Sequence, residues 1–236
     1  GMNRFIWDMR AAPAHKVEGD TSMAFFLIGP MVLPGRYQVR LTVGDQSWTQ
    51  PFEITPDPRG HETAEARQAQ YDLLARINQK LSEAHDAVNQ IRDVTGQLAA
   101  WSTRIKGQER LTEVAKSADA LKKTLTTIEE AIFKSEPDTD LFYTATMKLG
   151  GRMAALKFAV DFSNHAPTRQ AVEIYEELAG KLDAQLTRLG EVLHTDLAQL
   201  NQRIRDTELP TITPRPLGET AVAAETKGAD EEPPGR

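Results

Sequence analysis

The spacing of apolar residues changes once along this chain, near residue 60. Before that point apolar and polar residues alternate, most strictly in Tyr37–Val43. The segment Gly44–Gln46 is typical of a tight turn, and Ser47–Ile54 then returns with apolar residues in the same phase. The sequence therefore predicts a β-hairpin over Tyr37–Ile54.

Two further strands are predicted on weaker patterns. Residues Asn3–Arg10 alternate Phe5, Trp7 and Met9 against mostly polar neighbours, and Met23–Ile28 forms a short apolar run. Pro51 within the second hairpin strand favours an edge position or a bulge, because proline has no backbone N–H. These strands would share one apolar face and hold no second sheet to cover it. We expect the covering strands to precede residue 1, with the helices as the alternative cover.

After residue 60 the apolar period becomes three to four, which predicts helices. The first spans His61–Lys106 and ends where Gly107 stands as its C′ residue. Its seam alternates steps of three and four from Leu74 to Leu98, as in a coiled coil. The residues of that seam are Leu74, Ile77, Leu81, Ala84, Val88, Ile91, Thr95, Leu98 and Ile105.

Three more helices are predicted at Gln108–Ser135, Asp140–Asn164 and Thr168–Asp206. Gly150–Gly151 falls inside the third, where a close neighbouring helix or a kink would explain the pair. In the fourth, apolar residues recur at an 11-residue period, which predicts a straight or slightly right-handed path. The loops are short, so consecutive helices are expected to be antiparallel neighbours.

The predicted fold class is therefore α+β. Residues 1–58 would form a small, incomplete, antiparallel Ig-like β unit, and residues 61–206 a long antiparallel four-helix bundle. Residues 207–236 are rich in proline and acidic groups and are predicted to be a disordered tail.

Composition excludes several classes of function. The chain has no cysteine, so it has no disulfide, thiolate metal site or cysteine nucleophile. The net charge is −6 and no segment is basic, which argues against a nucleic-acid partner. The longest apolar run, Met23–Leu33, is broken by Gly29 and Pro30 and is too short to span a bilayer.

The sequence offers one local pattern with metal chemistry. Glu191 and His194 form the Glu-x-x-His pair of di-iron carboxylate bundles, but the second copy that such sites require is missing. We therefore interpret the pair as solvated side chains beside the buried stripe. Trp7, Trp48 and Trp101 are interpreted as packing residues. No catalytic, cofactor-binding or metal-binding residue is predicted.

Several stretches together resemble a known family. The similarity is to the C-terminal region of large bacterial β-propeller proteins of the sortilin-like or BNR-repeat "glycosyl hydrolase" type. In that family a propeller is followed by an Ig-like sandwich and a helical tail. The stretches that carry the resemblance are Gly1–Arg10, Gly29–Pro30, Pro34–Val43, Gln50–Ile54, Asp57–Arg59, Leu81–His85, Ile91–Asp93 and Ala166–Gln170.

The resemblance implies a fragment without the active part of its parent. Glycosidase or peptide-binding activity would belong to the propeller, and this sequence contains no repeated four-stranded blades and no Asp-box. The expectation is a non-catalytic interaction or scaffold module of a secreted or periplasmic protein. Its partners would be the upstream propeller and a protein or second copy bound through the helices. The alternatives are a stand-alone cytoplasmic coiled-coil adaptor and a helical-bundle metalloenzyme.

Overall fold

The computed structural model describes residues 4–20, 24–133, 148–163, 165–206, 212–214 and 216. It confirms the α+β class: an antiparallel hairpin precedes four helices, the last of which continues through a π turn. The elements are β1 Gly35–Val43, β2 Gln46–Ile54, α1 Ala64–Ile105, α2 Thr112–Ile132, α3 Leu149–Asp161, α4 Arg169–Val192, a π turn Leu193–Leu197 and α5 Ala198–Arg205.

The long first helix has the predicted seam and clear end signals. It begins where the Thr63 side chain accepts a hydrogen bond from the Ala66 amide at 3.1 Å, and it is followed by Gly107 at φ +86°. Every predicted seam residue is buried except Thr95, whose place is taken by the fully buried Val94. The partners of α1 lie within this chain, as the apolar surface of the later helices indicates.

The helices pack in three columns, which corrects the expected alternation of four antiparallel neighbours. Along α1, Arg92 pairs with Glu129 of α2 at 2.8 Å, and Gln70 donates to the Val160 carbonyl of α3 at 2.8 Å. Both α2 and α3 therefore run against α1, with α2 beside its C-terminal half and α3 beside its N-terminal half.

The third column, which begins with α4, runs parallel to α1. Arg76 of α1 bonds Glu176 of α4 at 3.1 Å, and one turn later along α1 Lys80 bonds Asp183 of α4 at 2.6 Å. Loop length indicates only that the chain turns back after α1. It does not show that α2 is too short to reach the far end of α1 and that α3 fills the remainder of the same column.

Gly150 lies where α2 and α3 meet. A Cβ built on it would stand 3.0 Å from the Ile132 carbonyl oxygen at the end of α2. The predicted close approach of a neighbouring helix is confirmed, although the glycine pair lies in the first turn of α3 rather than at mid-helix. Residues 140–147 of the predicted third helix lie outside the described residues.

The π turn explains the unusual apolar period of the last helix. The buried stripe runs through Leu182, Leu189 and Val192, then skips to Leu197 before resuming with Leu200. A π turn inserts one extra residue, so the stripe stays on the side that faces α1 and α2. At the start of this column the Thr168 side chain accepts from the Ala171 amide at 3.1 Å, as a capping residue should.

The N-terminal segment packs on the helices instead of extending the sheet. Residues 4–9 form no strand, and Met9 interrupts the extended path with φ +59°. Residues 24–27 form a 3₁₀ turn rather than the predicted strand. Ala14, Val17 and Leu27 belong to the same buried cluster as the helices. Burial in the helical core outweighs the local alternation, so the predicted boundary at residue 58 does not separate the packing units.

A short C-terminal stretch also packs on the helices. Asn201 exchanges two hydrogen bonds with the backbone of Ile212, at 2.6 and 2.7 Å, and Gln97 does the same with Thr213, at 2.7 and 3.0 Å. Ile212 is buried. Residues 212–214 therefore pack on the helices, contrary to the prediction for this segment, and most of the predicted tail lies outside the described residues.

Candidate interaction surface

The hairpin owes its register to a two-residue turn. Val43 pairs with Gln46 across Gly44 and Asp45, and the pairing continues without a bulge to Gly35 and Ile54. Gly44 adopts φ +58°, the value that the first turn position of a type II′ hairpin requires and that glycine reaches without strain. Because residues directly opposite one another share a face, this register sorts the side chains into two distinct surfaces.

One surface of the hairpin is mostly apolar and open to solvent, and Gln46 and Gln50 share it across from Val43 and Val39. Val39, Leu41 and Val43 of β1 are 54%, 62% and 60% exposed, and Trp48 of β2 is 53% exposed. The opposite surface is polar and is made of Arg36, Gln38, Arg40, Thr42, Ser47, Thr49, Pro51 and Glu53. The predicted apolar face therefore exists, but neither the helices nor any other described residue covers its outer half.

The root of the apolar face is partly covered by an aromatic cluster. The Trp7 ring lies 6.2 Å from those of Tyr37 and Phe52, and these two rings stack at 5.8 Å. The Tyr37 hydroxyl donates to the Leu33 carbonyl at 2.6 Å. The cluster anchors the base of the hairpin and leaves its outer part free. We call the open part, Val39, Leu41, Val43 and Trp48, the arm face.

A cleft separates the hairpin from the helices. Its volume is about 510 Å³, and it lies between Pro34 and Ile54 of the hairpin base and the first turns of α1. The two arginines that line it are already neutralised, Arg10 by Asp161 at 3.1 Å and Arg67 by Glu62 at 3.4 Å. The cleft therefore offers a ligand no uncompensated cation among its described lining residues.

A track of polar side chains on α1, which sequence reasoning missed, binds the N-terminal segment. Asn78 donates to the Ala12 carbonyl at 3.0 Å, and Ser82 accepts from the His15 amide at 3.0 Å. One and two turns later, His85 donates to the His15 carbonyl at 2.6 Å and Asn89 contacts the backbone on either side of Val17. The residues recur at steps of three and four, a signal that was present in the sequence beside the stronger apolar seam.

We expect replacement of Asn89 by alanine to loosen this attachment. Asn89 accepts from the Glu18 amide at 2.9 Å and donates to the Lys16 carbonyl at 3.0 Å, and it is buried. Leaving those backbone groups unpaired should lower the free energy of unfolding by about 1–3 kcal/mol. Chemical denaturation measures the change. Gln79→Ala, at an exposed position of the same helix, should stay within about 0.5 kcal/mol of wild type. An equal effect of both changes would show that Asn89 does not hold the N-terminal segment.

Two buried bases have pKa values shifted by their surroundings. Burial lowers the pKa of Lys157 to about 8, and the pKa of His85 is also lowered, chiefly by burial. The Lys157 amine donates to Asn78 at 2.6 Å and to the carbonyl of Ile28. It therefore ties α3 to α1 and to the N-terminal segment, which is a structural use of a buried amine.

The structure does not bring the Glu-x-x-His pair together with further metal ligands among the described residues. Glu191 and His194 are both exposed, as the interpretation of a solvated pair requires. Within the described ranges no three His, Asp or Glu side chains are grouped closely enough to hold a metal ion. Trp101 is buried near the end of α1, which confirms its packing role, whereas Trp48 is exposed and that prediction was wrong.

Comparison with known proteins adds no relative. No family model, no curated protein and no solved structure matches this chain. Among the described helices, none has the length and apolar character needed to cross a membrane. The features that remain to indicate a function are the arm face and the helical body that carries it.

Proposed function

We propose that this chain is a non-catalytic interaction module in which the helical body supports the hairpin and the hairpin docks to a partner. The observation that supports this most strongly is the arm face: four large apolar side chains, each more than half exposed, on a strand pair that projects from the helices. Contiguous exposed apolar surface of this kind is typical of interaction sites.

The stability of the hairpin also favours docking. Two strands alone are marginally stable in water, and three or more are needed for an independent sheet. Here only the root is held, through Trp7, Tyr37 and Phe52. A partner that covers the arm face would remove Leu41 and Trp48 from water. A strand of that partner that pairs with the hairpin would also extend the sheet.

The size of the arm face indicates which partner is suitable. The whole hairpin, root included, offers a face of about 30 by 10 Å, so two copies packed face to face would bury at most about 300 Å² each. A stable interface buries about 1,200 Å² or more in total, so such a homodimer would be too small. The occupant we propose is a β-sheet layer of a larger protein, which can pair with an edge as well as cover the face.

The family resemblance supplies a setting for that layer. We propose that the module belongs to the C-terminal end of a secreted or periplasmic propeller protein, whose preceding strands provide the missing sheet. The reading frame upstream of residue 1 tests the setting. An open frame that encodes repeated four-stranded blades supports it, and a frame without blades favours the stand-alone adaptor.

A substitution on the arm face tests the docking function in two contexts. In the isolated 236-residue chain, Leu41→Asp should change the free energy of unfolding by less than about 0.5 kcal/mol, because Leu41 is 62% exposed. In the native protein as isolated from its source cell, the same change should lower stability by about 2 kcal/mol or more, because it would place a carboxylate in a covered apolar layer.

The matched control is Thr42→Asp, the adjacent position on the polar surface. It should have little effect in either context. If Leu41→Asp is as well tolerated in the native protein as in the isolated chain, the arm face is not a docking surface.

A further inference from the structure

The two outer edges of the hairpin differ in their hydrogen-bonding capacity. The tight turn makes Val43 and Gln46 a hydrogen-bonded pair, and such pairs alternate along an antiparallel ladder with pairs whose backbone groups point outward. The outward groups of β1 therefore belong to Arg36, Gln38, Arg40 and Thr42. Those of β2 belong to their partners across the ladder, Ser47, Thr49, Pro51 and Glu53.

Pro51 interrupts the edge of β2. Proline has no N–H, so this edge lacks a donor in its middle, directly across the ladder from Gln38. The edge of β1 carries an uninterrupted series of donors and acceptors over the same length. Edge strands of this kind are templates for pairing with another strand, whereas a proline is a common device that prevents it.

Charge adds a preference for the pairing strand. Arg36 and Arg40 project from the polar surface beside the open edge of β1. Arg36 lies across from Glu53 and Arg40 lies across from Thr49, and within the described part of the chain neither arginine forms an ion pair. A residue paired with Arg40 from the other side would share its face, so an acidic side chain there would be favoured.

We propose that the edge of β1, and not that of β2, accepts an additional strand from the docking partner, and that this strand alternates apolar and acidic residues. Its apolar side chains would extend the arm face beyond Val39, Leu41 and Val43, and its carboxylates would lie beside Arg40 and Arg36. The main-chain hydrogen bonds provide affinity and the alternating side chains provide selectivity, as in other cases of strand addition. This inference rests on the proposed docking function.

The test uses a synthetic peptide of alternating valine and glutamate as the strand. Amide hydrogen exchange of the 236-residue chain is followed by NMR with and without the peptide. Exchange at the outward amides of Gln38, Arg40 and Thr42 should slow by about tenfold or more, whereas Ser47 and Thr49 should be unchanged. A peptide of alternating valine and lysine should bind at least about tenfold more weakly, because it would bring like charges together.

Two proline variants provide the decisive comparison. Arg40→Pro removes an outward donor from β1, and Thr49→Pro removes the outward donor directly across the ladder on β2. Arg40→Pro should weaken peptide binding by about tenfold or more and Thr49→Pro should not. Exchange at the inward amides of Leu41 and Trp48 shows whether β1 and β2 stay paired in each variant. If Arg40→Pro disrupts that pairing, Arg40→Glu replaces it in the comparison.

The outcomes separate the inference from the proposed function. Protection of the β2 edge, equal loss in both variants, or absence of any peptide binding would overturn the β1-edge inference. In each of these cases the proposed docking function would still stand if Leu41→Asp destabilised the native protein. Tolerance of Leu41→Asp in the native protein, combined with protection of the β1 edge by the peptide, would overturn the docking function and leave only the preference of an added strand for the β1 edge.

Discussion

Replacing Gly29 by alanine should destabilise the protein by about 3 kcal/mol, since overpacking against a rigid backbone is among the costlier substitutions. A Cβ at this position would lie 1.9 Å from the Ala11 carbonyl oxygen and 2.5 Å from its carbon, and both are backbone atoms. Two segments of the N-terminal region cross here, held by hydrogen bonds from the Ala11 amide to Pro30 and from the Ala14 amide to Leu27. The added methyl group would force them apart and expose Val17 and Leu27.

Urea denaturation followed by circular dichroism measures this change. Gly180→Ala is the matched control, because nothing lies within 4 Å of a Cβ at that helical position. Removing a glycine from a helix interior should stabilise the protein by roughly 0.5–1 kcal/mol. If Gly29→Ala is as stable as wild type, the two segments of the N-terminal region do not cross at Ala11 and Gly29 as described.

The second large effect concerns Lys157 and alkaline pH. Burial lowers its pKa to about 8 in the folded protein, from an ordinary value near 10.5. Between these two values the unfolded chain binds more protons than the folded one, so the free energy of unfolding should rise as the pH rises from about 8 to about 10.5. The contribution should be roughly 1–3 kcal/mol, and it should be absent in Lys157→Met.

Denaturation at several pH values between 7 and 10.5 tests this prediction. Other groups that titrate in this range affect all variants alike. The relevant quantity is therefore the difference between variants in the slope of the free energy of unfolding against pH. Lys181→Met is the control, because Lys181 is half exposed in a surface pair with Glu177. A wild-type slope that matches Lys157→Met would show that the amine is not held in a buried site.

The elements that the sequence predicted well are those whose pattern is local and long. The α1 seam repeats over about seven turns from Leu74 to Leu98, so one aberrant position such as Thr95 does not change its interpretation. The hairpin has strict alternation on β1, apolar residues in the matching phase at Trp48, Phe52 and Ile54 of β2, and a glycine where the turn needs a positive φ. Both signals depend on backbone periodicity, which is independent of what the element packs against.

The parts that sequence reasoning missed depend on contacts between distant residues. Residues 4–9 alternate as a strand would. The residues that follow them, 12–16, are held instead by Asn78, Ser82 and Asn89 on α1. The joining of α2 and α3 into one column depends on the meeting of Ile132 and Gly150, which no local pattern reports. The polar track was visible as a spacing, but a spacing of polar residues on a long helix is usually a solvated face.

The candidate surface was predicted in part. Alternation identified the apolar face of β1, and the short N-terminal region indicated that little was available to cover it. The assignment of Trp48 to a core was wrong, because sequence reasoning assigns large aromatics to the interior unless the covering element is known to be missing. Which edge of the hairpin is open follows only from the register, which places Pro51 opposite Gln38.

Acrylamide quenching of Trp48 tests the central claim most directly. In a variant that retains Trp48 as its sole tryptophan, fluorescence from the isolated chain should be strongly quenched, because this side chain is about half exposed. In the native protein as isolated from its source cell, the proposed docking predicts weak quenching and emission at shorter wavelength. Equal quenching of Trp48 in the two preparations would contradict the claim that a partner layer covers the arm face.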